Sequence, residues 1–293
     1  AFLQGAFGPD IGYFPGGDRF LSDLAHYVRS GDLTRALVRL AETPSERAFA
    51  WGWVTHVLAD QAIHPLVGEA AGEVVHGRRG EFVGISENRT AHVRVEVGLD
   101  AWVSRRHPRL RATSCEPVFD RRSVGYLREA YLDAYALEVD PTHFLTSHLC
   151  AVRMSELALG TIGILGSAFE VENGEGTLQG TRWVLEQILA VVHQGMDLES
   201  MTLAFLNLVP PRPWLREGVE EIADAFPARF REAYEGGLDA LPNYNLDNGR
   251  AQEDGVTTPR AEEALRALEG LGGAGLEPPE NGRSPARYRG VRP

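Results

Sequence analysis

The stretch His56-Val57-Leu58-Ala59-Asp60-Gln61-Ala62-Ile63-His64 carries an imidazole or a carboxylate at every fourth position. On a helix each step of four advances about 400°, so the three groups form one stripe drifting by about 40° per step. A helix start lies just upstream. In Thr43-Pro44-Ser45-Glu46, Thr43 can cap, Pro44 suits the first turn and Glu46 completes a capping box. The helix is expected to run to Ile63 or His64, where Pro65 ends it. His56 and His64 then lie about 12 Å apart along the axis, too far to share one metal ion but suited to two neighbouring ions, with Asp60 serving the first. A second predicted helix, Thr90 to Ser104, supplies His92 and Glu96, again at i and i+4, the spacing that lets two side chains of one helix grip one metal.

A lone histidine on an amphipathic helix is more often packed or solvated than a ligand. Five ligand-type groups in two such series are harder to explain without a cation, because burying several imidazoles and carboxylates unpaired is costly. Cys115 and Cys150 are too few for a disulfide framework or a thiolate site, so any zinc must be held by imidazole and carboxylate. They favour neither a cytoplasmic nor a secreted setting. All 29 basic residues are arginine, which fits the codon bias of a GC-rich bacterial genome and excludes a lysine Schiff base or a P-loop lysine. The formal net charge of −12 argues against a nucleic-acid partner, since such binding draws on Lys and Arg displacing counterions.

Helical patterns dominate and no convincing alternating strand is found, so the expected fold is all-α, a multi-helix bundle with the metal cluster between helices. Residues 1–16 read as an ordered loop, and helices are expected over Asp18–Arg29 and Leu33–Glu42, separated at Ser30-Gly31. Gly68–Asn88 reads as a loop or lid. Further helices are expected over Arg121–Leu137, His143–Gly166, Leu178–Val192, Leu198–Leu206 and Trp214–Gly236. Residues 1–257 are read as one catalytic domain, followed by a short helix over 258–271 and a disordered tail over 272–293. No run of 18 apolar residues predicts a membrane span, and nothing specifies an oligomeric state.

The order Gly8-Pro9-Asp10-Ile11, His26, H-x3-D-x3-H at 56–64 and H-x3-E at 92–96 resembles the zinc-dependent phospholipase C family, whose all-helical fold and metal site are similar to those of zinc-dependent single-strand nucleases. The resemblance covers about the first hundred residues, with Leu241-Pro242-Asn243-Tyr244-Asn245-Leu246-Asp247 similar to a closing segment. It implies that Asp10, His26, His56 and Asp60 hold one zinc and His64, His92 and Glu96 a second. In the family the carboxylate matching Asp60 also bridges to a third zinc held by an amino-terminal Trp and an early histidine. Here the sequence starts at Ala1 and His26 is its first histidine, so that third site either lies upstream or is lacking.

The expected activity is a zinc-dependent phosphoester hydrolase acting on a lipid or small-molecule phosphoester, with a metal-activated water attacking phosphorus. Asp10 is the candidate general base, or a ligand alone. Trp53, with Trp51, could line a substrate pocket or pack between helices, and Arg78 and Arg79 could clasp a phosphate or be solvated. His143 and His148 are read as capping or core residues, and His76, His107 and His193 as loop or helix-end residues. The alternatives are a nuclease, a non-hydrolytic metal-dependent biosynthetic enzyme catalysing elimination or cyclisation, and a metal-stabilised binding protein without turnover.

Overall fold

The helical spacing of the apolar residues is realised over most of the described residues. The computed structural model describes residues 1–14, 17–107, 123–149, 151–152, 209–238, 241–251, 258–273 and 286–288. Among these, α-helix predominates and the fold class is all-α. The helices are α1 (Phe2–Ala6), α2 (Arg19–Tyr27), α3 (Ser30–Leu40), α4 (Pro44–His76), α5 (Arg89–Arg106), α6 (Ser123–Tyr135), α7 (Pro213–Gly236) and α8 (Pro259–Gly270), with a 3-10 helix over Pro9–Tyr13. Residues 141–149 are also helical. The expected helices Leu178–Val192 and Leu198–Leu206 lie outside the described residues.

The chain divides into two compact units. The first comprises Ala1–His64, Glu116–Val152 and Asp224–Pro293, and the second Pro65–Cys115 and Arg153–Ala223. The first unit's core gathers Leu24, Leu33, Leu37, Phe49, Trp53, Leu127, Tyr135, Phe144, Leu246 and Leu268. Burial of such side chains stabilises by roughly 1.5–3 kcal/mol each. In the second unit Val67, Ala71, Val95, Leu99, Ala101 and Leu215 are buried.

Several expectations are corrected. Residues 1–16 are not a loop, since α1 and the 3-10 helix occupy most of the segment. Gly5 and Gly52 permit α1 to lie against α4: a Cβ on Gly5 would stand 2.0 Å from the Phe49 carbonyl oxygen, and one on Gly52 2.0 Å from that of Phe2. The break between α2 and α3 falls at Arg29, in the left-handed region at φ 52°, and Ser30-Gly31 instead opens α3. Pro65 does not end α4, which continues to His76. Its missing N–H and its clash with the preceding turn cost about 3 kcal/mol, offset by burial of Val67, Ala70 and Ala71 in the turns that follow. The expected loop therefore shrinks to residues 77–88.

The capping box forms as read: the Thr43 N–H donates to Glu46 Oε2 at 2.8 Å and the Glu46 N–H to Thr43 Oγ1 at 3.1 Å. Four short strands were not anticipated among the described residues. β2 (Tyr244–Asn245) and β3 (Arg250–Ala251) pair antiparallel, while β1 (Leu137–Val139) pairs in parallel with β4 (Ala286–Tyr288). β4 lies in the tail expected to be disordered. It is held there because Tyr288 packs on Phe20, ring centroids 5.0 Å apart, and donates its hydroxyl to the Asp18 carboxylate at 2.9 Å.

Candidate metal centre

Within the first unit, three elements bring four ligand-type side chains together: Asp10 on the 3-10 helix, His26 on α2, and His56 and Asp60 on α4. Ser22, on the turn of α2 before His26, ties two of these elements. Its hydroxyl donates to the Pro9 carbonyl at 2.5 Å and accepts the Gly12 N–H at 2.8 Å, so the segment bearing Asp10 is fixed against α2.

Both imidazoles are oriented by backbone. His26 Nδ1 lies 2.8 Å from the Ser22 carbonyl oxygen, and His56 Nδ1 2.8 Å from that of Ala6. A carbonyl only accepts, so each Nδ1 carries the proton and each Nε2 turns a lone pair inward. Those two nitrogens stand 3.4 Å apart. Asp10 Oδ1 is 3.1 Å from His26 Nε2, and Asp60 Oδ2 is 3.0 Å from His56 Nε2 and 3.9 Å from His26 Nε2. Two facing lone pairs among carboxylates repel unless a cation lies between them. Zinc bonds of about 2.0–2.1 Å in a tetrahedron separate neighbouring donors by roughly 3.4 Å, so the donor set fits zinc. Backbone partners on the outer imidazole nitrogens are the usual support of metal-binding histidines.

Without a metal, a proton is the only substitute. Burial opposes a charge on His56, but the carboxylates of Asp60 and Asp10 outweigh it and raise the imidazole to about 9. Burial likewise opposes ionisation of Asp60, while the imidazoles of His56, His64 and His26 hold its carboxyl well below the usual carboxylate range. Asp60 Oδ2 also lies 3.9 Å from His64 Nε2, so the carboxylate sits within the stripe read from the sequence. The Asp10 side chain is 37% exposed, leaving one member of the cluster open to solvent.

In the second unit, α5 presents His92 and Glu96 as a pair, with His92 Nε2 3.4 Å from Glu96 Oε1. His92 Nδ1 faces the Val83 carbonyl oxygen at 3.4 Å, again turning Nε2 toward the carboxylate. Asn88 starts this helix by accepting the Ala91 N–H at 3.0 Å.

Trp53, Arg78 and Arg79, the candidate substrate contacts, each pack or pair with neighbouring side chains. Trp53 is 1% exposed and packs on Phe49 as part of the core. Trp51 meets Phe230 edge to face and Tyr234 at a tilt, ring centroids 5.7 and 4.7 Å away. Arg78 is paired with Glu81 at 2.6 Å, and Arg79 with Glu69 at 2.6 Å while lying over the Trp214 ring. These guanidinium groups are already engaged. His148 is buried, and burial lowers its imidazole to about 4. His76 ends α4 and His107 caps α5, while His193 lies outside the described residues. Sequence reasoning passed over Ser22, because a serine four residues before a histidine on a helix has no distinguishing pattern.

No helix of the described residues is long and apolar enough to cross a membrane. Comparison with curated proteins and with solved structures gave no match. A family model does match, and it spans the segment that supplies every candidate ligand. Residues 1–140 of this chain match the family of zinc-dependent phospholipase C.

Proposed function

We propose that the protein is a zinc-dependent phosphoester hydrolase of the phospholipase C kind, acting on a phospholipid or a smaller phosphodiester. The observation that carries this reading is the pair of inward-facing Nε2 atoms of His26 and His56, 3.4 Å apart and flanked by Asp10 and Asp60, in a chain matched by a zinc-dependent family. Asp10, His26, His56 and Asp60 hold one zinc ion. His64, His92 and Glu96 hold a second, an assignment that follows the family's order of ligands. Zinc, when bound, supplies Lewis-acid polarisation of a phosphoryl oxygen and acidification of water.

The chain's own groups do the rest. Asp10, the most exposed of the four side chains in the first site, takes the role of general base toward an incoming water, a reading supported by its 37% exposure. The Ser22 and Ala6 carbonyls keep both imidazoles in the Nδ1–H tautomer, with each Nε2 lone pair reserved for the metal.

The test is a hydrolysis panel of zinc-loaded protein on phosphatidylcholine, a nitrophenyl phosphodiester, a phosphomonoester and single-stranded DNA. Turnover of phosphatidylcholine or the phosphodiester, lost in Asp10→Asn, is the expected result. Full zinc loading with no turnover on any substrate would overturn the hydrolytic reading.

A further inference from the structure

Arg260 is the second residue of α8, in the first turn of a helix, where the macrodipole disfavours a cation by about 0.3–1 kcal/mol. Its side chain is nonetheless 10% exposed and paired with Asp23 at 2.7 Å. Local preference does not account for it there, but its tertiary partners do. The guanidinium carbon lies 4.9 Å from the ring centroid of Tyr13 and 5.3 Å from that of Tyr27, both within cation–π range. Tyr13 donates its hydroxyl to Asp23 at 2.9 Å, closing a ring of contacts around one charge.

The two tyrosines also flank a candidate ligand. The ring centroid of His26 is 5.3 Å from that of Tyr13 and 5.8 Å from that of Tyr27. Tyr13 belongs to the 3-10 helix that carries Asp10, whereas Asp23 and Tyr27 belong to α2, which carries His26. One guanidinium therefore grips both elements that bring ligands to the first site. A planar guanidinium can stack on two rings while its N–H fork reaches a carboxylate, which an ammonium group cannot do. Arg260 lies beyond residues 1–140, so nothing in the family match assigns it a role.

We propose that Arg260 is a positioning residue for the first metal site, packed against Tyr13 and Tyr27 and paired with Asp23 so that Asp10 and His26 are held together for one zinc ion. This rests on the metal reading above. The test uses the full chain in a His92→Ala background, which isolates the first site. Zinc affinity is measured by competition with a chromophoric chelator, coordination by the visible spectrum of the cobalt-loaded form, and stability by urea unfolding in chelator.

Arg260→Met is expected to weaken zinc binding about 10–100-fold, the usual effect of removing an outer support of a metal ligand, and to alter the cobalt spectrum. Arg260→Lys, which keeps the ion pair but not the double stack, recovers part of the loss. A folded Arg260→Met protein with parental zinc affinity and an unchanged cobalt spectrum, even if less stable in urea, would overturn the proposal. Should Arg260→Met fail to fold, Arg260→Lys decides alone, and parental affinity there would be equally contrary. Absence of zinc and cobalt binding in the parent would instead remove the metal reading itself.

Discussion

Replacing Ser22 by alanine should destabilise the metal-free protein by about 2–4 kcal/mol and weaken zinc binding as well. The Ser22 hydroxyl is buried, donates to the Pro9 carbonyl at 2.5 Å and accepts the Gly12 N–H at 2.8 Å. Alanine forfeits two hydrogen bonds and leaves a buried carbonyl and a buried N–H behind. Each net bond is worth about 1 kcal/mol, and each abandoned partner costs about 1–3 kcal/mol, part of which is recovered by relaxation. Urea unfolding in the presence of chelator gives the difference from the shift in midpoint at constant slope. Ser45→Ala, at an exposed position beside the capping box, serves as the control and should change stability by less than about 0.5 kcal/mol. The loss should carry over to zinc affinity, because the segment bearing Asp10 is then free to move away from α2. A Ser22→Ala protein as stable as the control and with undiminished zinc affinity would refute this reasoning.

Three further outcomes are expected. His56 has its folded pKa raised to about 9 from 6.5, so in the metal-free protein its contribution, on the order of 3 kcal/mol, is fully present below pH 6.5 and lost as pH rises through 9. Zinc-saturated protein should gain stability over the same window, because ligands must shed protons to bind metal; urea titrations from pH 6 to 10 with chelator or zinc check both signs. Gly52→Val should push α1 off α4, since even a Cβ there would stand 2.0 Å from the Phe2 carbonyl oxygen; a destabilisation above about 2 kcal/mol is expected, and a circular-dichroism melt unchanged from the parent would contradict it. Trp53→Ala should cost about 3–5 kcal/mol in urea unfolding, and Trp51→Ala distinctly less, because only Trp53 is fully buried.

The ligand stripe was legible because helix periodicity alone places His56, Asp60 and His64 on one face, and a capping box marks where that helix begins. The all-α class followed from the same periodicity. What the sequence did not disclose depends on contacts between distant segments. The capacity of α4 to continue through Pro65 reflects burial on the following turns, which no local signal reports. The ordering of Ala286–Tyr288 depends on Tyr288 finding Phe20 and Asp18, about 270 residues away. Residues 241–247 were noticed as a resemblance, without a partner in the fold. They strap α2 and α3: the Tyr244 N–H donates to Ser30 Oγ at 2.9 Å and the Leu246 N–H to the His26 carbonyl at 2.9 Å. Gly31 is required for that approach, since a Cβ there would lie 2.4 Å from the Pro242 carbonyl oxygen. For Trp53 the sequence left pocket lining and helix packing both open, and burial against Phe49 is a tertiary contact that sequence proximity to His56 does not report.

The central claim is a protein-held zinc centre, and metal analysis of protein purified without added metal tests it most directly. Elemental analysis should find two zinc ions per chain in the parent and none in the His56→Ala, His64→Ala and His92→Ala triple variant. A parent devoid of metal, or a triple variant that retains the parental zinc content, would contradict the account.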